Sequence, residues 1–193
     1  MSKHDFKNLA GFLDTTKAAP TWASQVQVHP HPDGVAGAEI YASDGIKLAS
    51  ITTTIDMAWA PPLVIEDGAG FLKAAAKTGI VTAAQPDVGR FVFYAEDEVF
   101  STVPVPLGRN YKLLKAQVLA DFPPCTLDKL GFYSPHAATL GKVKDNKGGK
   151  PAVIQLGFRR GHIVFTATGT TLTGVITSNS LMTEEQPPEG QLI

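Results

Sequence analysis

Basic side chains recur in this sequence at the spacing of one helical turn. Lys3 and Lys7 are four residues apart, as are Lys73 and Lys77; Lys17 lies further along the first of these stretches, and Lys142 and Lys144 belong to a third, each set opposite the apolar side of an expected helix. Residues four apart on a helix share a face, so each pair would hold two ammonium groups side by side. Such groups contact the phosphates of a nucleic-acid backbone electrostatically, without reading bases. A row of lysines is equally what a solvated helix face carries, and the sequence leaves both readings open. The acids fall elsewhere. Asp33, Asp44, Asp67, Asp97 and Asp145 sit in turn-like stretches, and Asp14 is the one acid placed on such a face.

Other chemistry is thinly represented. His29, His31 and Asp33 form the one candidate metal cluster. On a strand the two histidines would point the same way, but Pro30 and Pro32 make a surface loop the simpler reading. His136 and His162 have no acid partner nearby in sequence, and Cys125 follows two prolines and reads as a structural or incidental thiol. The glycines spell neither GxGxxG nor GxxxxGK[ST]. No catalytic residue, metal or cofactor is expected. Trp22, Phe91, Phe93, Tyr94 and Phe100 read as strand aromatics packed in a core; a base-stacking platform would need them exposed on a sheet.

The elements that must position the lysines follow from periodicity. Phe6, Leu9, Ala10 and Leu13 recur at helical spacing, predicting a helix near residues 4–17. Asp67 reads as the cap and Gly79 as the stop of a second helix over 67–78, with Phe71, Leu72, Ala75 and Ala76 inward. Ser134-Pro135 opens a third, short helix reaching about Lys144. Between them lie alternating or β-branched runs: 26–29, 35–42, 46–55, 63–65, 80–84, 90–95, 98–103, 111–119, 130–133, 152–156, 162–168 and 171–178. Asp44-Gly45 marks a hairpin turn and Glu96-Asp97 another. A helix followed by short-turn strands thus repeats three times, predicting an α+β fold with helices on one face of antiparallel sheets.

The chain has 193 residues and a net charge of -1, from 17 basic and 18 acidic side chains. That excludes a globally basic nucleic-acid binder but not a local basic face. With 44% hydrophobic and 18% charged residues, there is material for a real core and too little charge for disorder. A single cysteine rules out an internal disulfide. No apolar run is long enough to span a membrane as a helix, and Met1 to Leu13 has no uninterrupted apolar core, so no secretory signal is expected and a cytoplasmic location is.

The stretch Ile40-Tyr41-Ala42-Ser43-Asp44-Gly45-Ile46-Lys47-Leu48-Ala49 resembles the "ATDGHRLA" strand-turn-strand of bacterial DNA sliding clamps, the beta subunit of the replicative polymerase. Ile46 and Lys47 stand where His and Arg are usual. Pro62-Leu63-Val64-Ile65 with Phe71-Leu72-Lys73 resembles that family's "IVPRKALKELLK" segment, Phe6-Lys7-Asn8-Leu9 its opening helix, and Leu130 to Pro135 its "FNPKYL" half-domain opening. The resemblance implies a clamp-like domain of two half-domains over residues 1–118, a third half-domain or small second domain over 119–183, and a loose tail over 184–193. It also implies a non-enzymatic processivity factor whose homo-oligomeric ring encircles duplex DNA, with subunits joined edge to edge through their sheets and a DNA polymerase and clamp loader as partners. Lys3, Lys7, Lys17, Lys73, Lys77, Lys142 and Lys144 would face the DNA. The competing expectations are a β-rich structural or assembly protein, such as a virion or surface module, and a small-ligand barrel with a deep apolar cavity.

Overall fold

Ser2 opens the first helix by accepting a hydrogen bond on its hydroxyl from the His4 N–H at 3.2 Å. In the computed structural model, which describes residues 2–31, 36–57, 60–106, 108–121, 134–159 and 162–177, this helix, α1, spans Lys3–Ala10. It is shorter than the expected 4–17 because Gly11 caps it and the chain turns back, the Asp14 N–H donating to the Ala23 carbonyl at 2.9 Å. Strands β1 (Val26–Pro30), β2 (Ala38–Ser43), β3 (Lys47–Thr53) and β4 (Leu63–Ile65) follow. Asp67 then caps α2 (Gly68–Thr78) through Gly70, and Gly79, in the left-handed region at φ 75, ends it. After β5 (Val81–Asp87), β6 (Arg90–Ala95) and β7 (Glu98–Pro104) come α3 (Tyr111–Asp121), α4 (Ser134–Gly141), β8 (Ile154–Arg159), β9 (His162–Ala167) and β10 (Thr173–Thr177).

The strands form one ten-stranded sheet in the order β5-β6-β7-β4-β1-β2-β3-β10-β9-β8. Every pairing is antiparallel. β7 changes partner along its length: Glu98 to Ser101 pair with β6, and Thr102 to Pro104 with β4. At that switch the Thr102 hydroxyl donates to the Phe91 carbonyl at 2.8 Å. β10 pairs with β3, so the expected third unit shares its sheet with the first.

One core joins these parts. Phe71 meets Phe6, Phe93 and Phe100 edge-on, and Phe12 stacks on Phe165 with ring centroids 5.5 Å apart. Leu140 and Val143, at and just after the end of α4, enter the same core. The anticipated face-sharing therefore describes α1, α2 and α4, each of which is followed by three or more strands.

α3 corrects the expectation of a strand over 111–119. Asn110 supplies a helix cap, its Oδ1 accepting from the Leu113 N–H at 3.0 Å. Tyr111, Leu114 and Val118 recur at helical spacing, and the first and last of them are buried. The helix covers the opposite face of the sheet. Along β2 and β3, Ile40, Ala42, Ala49 and Ile51 enter the main core, while Tyr41 and Leu48 turn the other way and pack with Tyr111 and Leu114. The third helix ends at Gly141, short of Lys144. The junction around Cys125, the short strand expected at Leu130–Tyr133 and the tail over 184–193 lie outside the described residues.

Candidate nucleic-acid interface

α1 and α2 lie against each other on the core face of the sheet. Amphipathicity fixes what each shows to solvent. In α1, Phe6 and Leu9 are buried and Lys3 and Lys7 are exposed; in α2, Phe71, Leu72, Ala74 and Ala75 are buried and Lys73 and Lys77 are exposed. Asp5, the acid of α1, is buried instead, where its carboxylate accepts from the Asn146 side-chain amide at 2.8 Å and the Thr171 N–H at 3.2 Å. The outward side of this helix pair is consequently richer in cations than the net charge implies.

The remaining sequence-predicted lysines sit off the helices. Lys17 is exposed in the turn after α1. Lys142 and Lys144 follow α4, whose own span carries no lysine. Lys144 is docked beside α1: Asn8 Nδ2 donates to the Lys144 carbonyl at 2.8 Å, and Asn8 Oδ1 accepts from its N–H at 2.9 Å. Lys77 is not a free cation, because its Nζ donates to Glu96 Oε2 at 2.6 Å. That hydrogen bond, and then the charge of Glu96, raise the Lys77 pKa and keep it protonated. Among the described residues, Lys3, Lys7 and Lys73 make no ion pair.

Two further lysines lie on the segment over 111–119, which the sequence predicts as a strand and which is a helix. Lys112 and Lys115 belong to α3, on the opposite face, and both are engaged. Lys112 pairs with Glu39 at 3.5 Å. Lys115 donates to Ser50 Oγ at 2.8 Å and Thr173 Oγ1 at 2.6 Å, and burial lowers its pKa. Beneath α3 the polar side chains of β1 form a closed set. Gln27 Oε1 accepts from the Tyr111 N–H at 2.9 Å and lies 3.0 Å from His29 Nε2, while Gln27 Nε2 donates to the Arg109 carbonyl. His29 is thus a buried strand residue and not part of a loop cluster with His31; burial, then Lys112, push its pKa down to about 4. Asp33 lies outside the described residues. Among the described residues no group of three or more His, Cys, Asp or Glu could hold a metal.

Paired helices on one side of a continuous antiparallel sheet are the architecture of a DNA sliding clamp, and this chain has that fold. The beta subunit of DNA polymerase III from Thermotoga maritima matches at a TM-score of 0.58 with 11% identity, over 94% of this chain and 62% of that one. The DNA polymerase beta subunit of Streptococcus pyogenes matches at 0.53 with 12% identity, over 96% and 63%. The DNA polymerase sliding clamp of Bacillus subtilis matches at 0.54 with 8% identity, over 97% and 63%. The chain therefore spans under two thirds of the length of these clamps. No family model matches the sequence. No curated protein matches it either.

Proposed function

We propose that this chain is a non-catalytic DNA clamp: an oligomer whose sheets join edge to edge, closing a ring around duplex DNA, with α1 and α2 toward the phosphates. The observation that carries the reading is the side-by-side placement of α1 and α2 with Lys3, Lys7 and Lys73 exposed and without ion pairs, on a fold shared with solved sliding clamps. Lysines hold phosphates by charge and not by base identity, so such a ring slides. A tethered polymerase and a clamp loader are the partners this reading calls for. Lys17, Lys142, Lys144 and, once released from Glu96, Lys77 extend the same charge. The units proposed are 1–118 as two half-domains and 119–183 as a third, with 184–193 as a tail.

Light scattering at several protein concentrations, with circular and linearised duplex DNA added in the same series, tests the reading. The expected result is a defined oligomer that stays on closed circles and runs off linear ends. Lys73→Glu combined with Lys77→Glu should reduce retention while the oligomer and fold persist. A monomer, or an oligomer indifferent to DNA, overturns the reading in favour of a structural or assembly role.

A further inference from the structure

Among the described helices, α3 differs from the others in what holds it. α1, α2 and α4 each send side chains into the main core, whereas Tyr111 and Leu114 of α3 pack with Tyr41 and Leu48 in a small separate cluster on the opposite face. Lifting α3 would uncover few apolar side chains and leave the main core shut, which is the condition for a local opening of low cost. The other ties of α3 to the sheet are polar. The Tyr111 N–H, at its first turn, donates to Gln27 Oε1, the same atom that His29 Nε2 meets at 3.0 Å. Gln27 Oε1 accepts and Gln27 Nε2 donates to the Arg109 carbonyl, so His29 must donate from Nε2. The docked helix therefore selects the neutral ring, and an added proton would go to Nδ1.

Charge around this ring is one-sided. His29 stands opposite Glu39 in the β1–β2 register. Lys112 of α3 pairs with Glu39, the Tyr41 hydroxyl donates to Glu39 Oε2 at 2.7 Å, and Lys115 Nζ lies 5.9 Å from the centre of the Tyr41 ring. Arg109, just before α3, lies over Trp22, and Asp44 at the β2–β3 turn is paired with Lys47. His31, beyond β1, lies beside Gly37. Burial, and then the bond to Glu39, push the Tyr41 hydroxyl up, and burial pushes Tyr111 up, so both stay neutral in acid. Among the described residues one carboxylate, Glu39, thus faces both lysines of α3, and a protonated His29 would be a third cation beside it.

We propose that α3 is an acid-released latch: protonation of His29 beneath it loosens the helix from the sheet while the main core stays folded. The imidazolium competes with Lys112 for Glu39 and repels both lysines, and lifting α3 returns all three cations to water. Under the docked helix the His29 pKa is lowered to about 4, first by burial and then by Lys112, and in water it returns toward 6.5. Between these values the open form binds the extra proton, so acid favours opening. The opening constant should rise toward tenfold per pH unit as pH falls from 6.5 toward 4. The inference rests neither on the oligomer proposed above nor on DNA binding.

Amide hydrogen exchange on the full chain without DNA, followed peptide by peptide from pH 7 to pH 4 and corrected for the intrinsic pH dependence of exchange, tests the latch. Protection over Tyr111 to Val118 should fall on the slope given above while β2 and β3 keep theirs. His29→Gln, which keeps Glu39 and both lysines, should remove most of that slope. Lys112→Gln should shrink the total change, because Lys112 is the second cause of the lowered His29 pKa. Loss of protection in α3 only together with β2 and β3 would mean that acid unfolds the whole protein, and it overturns the latch. An unchanged slope in His29→Gln assigns the proton to another group and overturns it as well. If His29→Gln does not fold, Lys112→Gln decides, and an undiminished change there has the same meaning.

Discussion

The Asn8 side chain makes both of its amide hydrogen bonds to the backbone of Lys144, donating to the carbonyl at 2.8 Å and accepting from the N–H at 2.9 Å. This imitates one rung of a β-ladder between residues 136 apart in sequence, and it ties α1 to the segment after α4. Asn8 is nearly fully buried, so water cannot replace the bonds at little cost. Asn8→Ala should destabilise the protein by about 2 kcal/mol, since two partly buried backbone groups of Lys144 lose their partners. Urea unfolding checks it; a loss below about 1 kcal/mol would mean the strap relaxes to other partners.

The β2–β3 hairpin is pinned from outside as well as within. Asp44 Oδ1 accepts from the Ile46 N–H at 3.0 Å and the Lys47 N–H at 2.7 Å, and Gly45 takes φ 91 with Trp22 over it. A Cβ at this position would sit 2.8 Å from Trp22 Cη2. Gly45→Ala should therefore cost about 2 kcal/mol from backbone strain and the clash together. In a Trp22→Phe background, which removes the clashing ring atom, the cost of the same change should shrink. Equal losses in both backgrounds, read from thermal melts of all four proteins, would leave the strain as the sole cause.

Where local chemistry decides structure, the sequence was readable. Asp67 and Gly79 bound α2 because a carboxylate cap and a left-handed glycine act within a few residues. The turns at Asp44-Gly45 and Glu96-Asp97 likewise carry their own signals. The segment over 111–119 carries two periodicities' worth of apolar residues: Val118 and Leu119 end it as a strand-like run with no punctuating residue, while Tyr111, Leu114 and Val118 recur at helical spacing. What stabilises it is non-local: Tyr41 and Leu48 beneath it, and Gln27 at its first turn. The lysine pairs were visible, but not that Glu96, brought by the β6–β7 turn, would hold Lys77.

His29 makes stability depend on acid. Its pKa is lowered to about 4 in the folded protein, first by burial and then by Lys112, against an unfolded value of 6.5. A depressed pKa means the unfolded chain binds the extra proton between these values, so stability rises with pH there. The contribution is complete above pH 6.5 and is lost as pH falls toward 4, and by linkage it amounts to about 3 kcal/mol. His136 and His162 are shifted the same way and add to the slope. His29→Gln should flatten the stability–pH curve over that window relative to wild type. Parallel curves from urea titrations across the range would show that His29 charges in the folded state without cost.

Glu96 holds Lys77 from an unusual backbone position. It is a non-glycine residue at φ 55 in the β6–β7 turn, a region that asparagine tolerates better than glutamate. Glu96→Asn should keep the turn, and loss of an ion pair this exposed should cost little stability. Its effect should appear on DNA instead. With Glu96 neutralised, Lys77 is released onto the outward face of α2 beside Lys73, and one more phosphate contact becomes available. Retention on circular duplex should increase, and the slope of log affinity against log salt should steepen by about 0.9. The salt series also separates this from a general charge effect: removing a distant acid raises affinity through the overall field, whereas one new contact changes the slope by a whole counterion. An unchanged slope in a variant that still folds would place Lys77 away from the DNA, leaving Lys3, Lys7 and Lys73 to hold the phosphates.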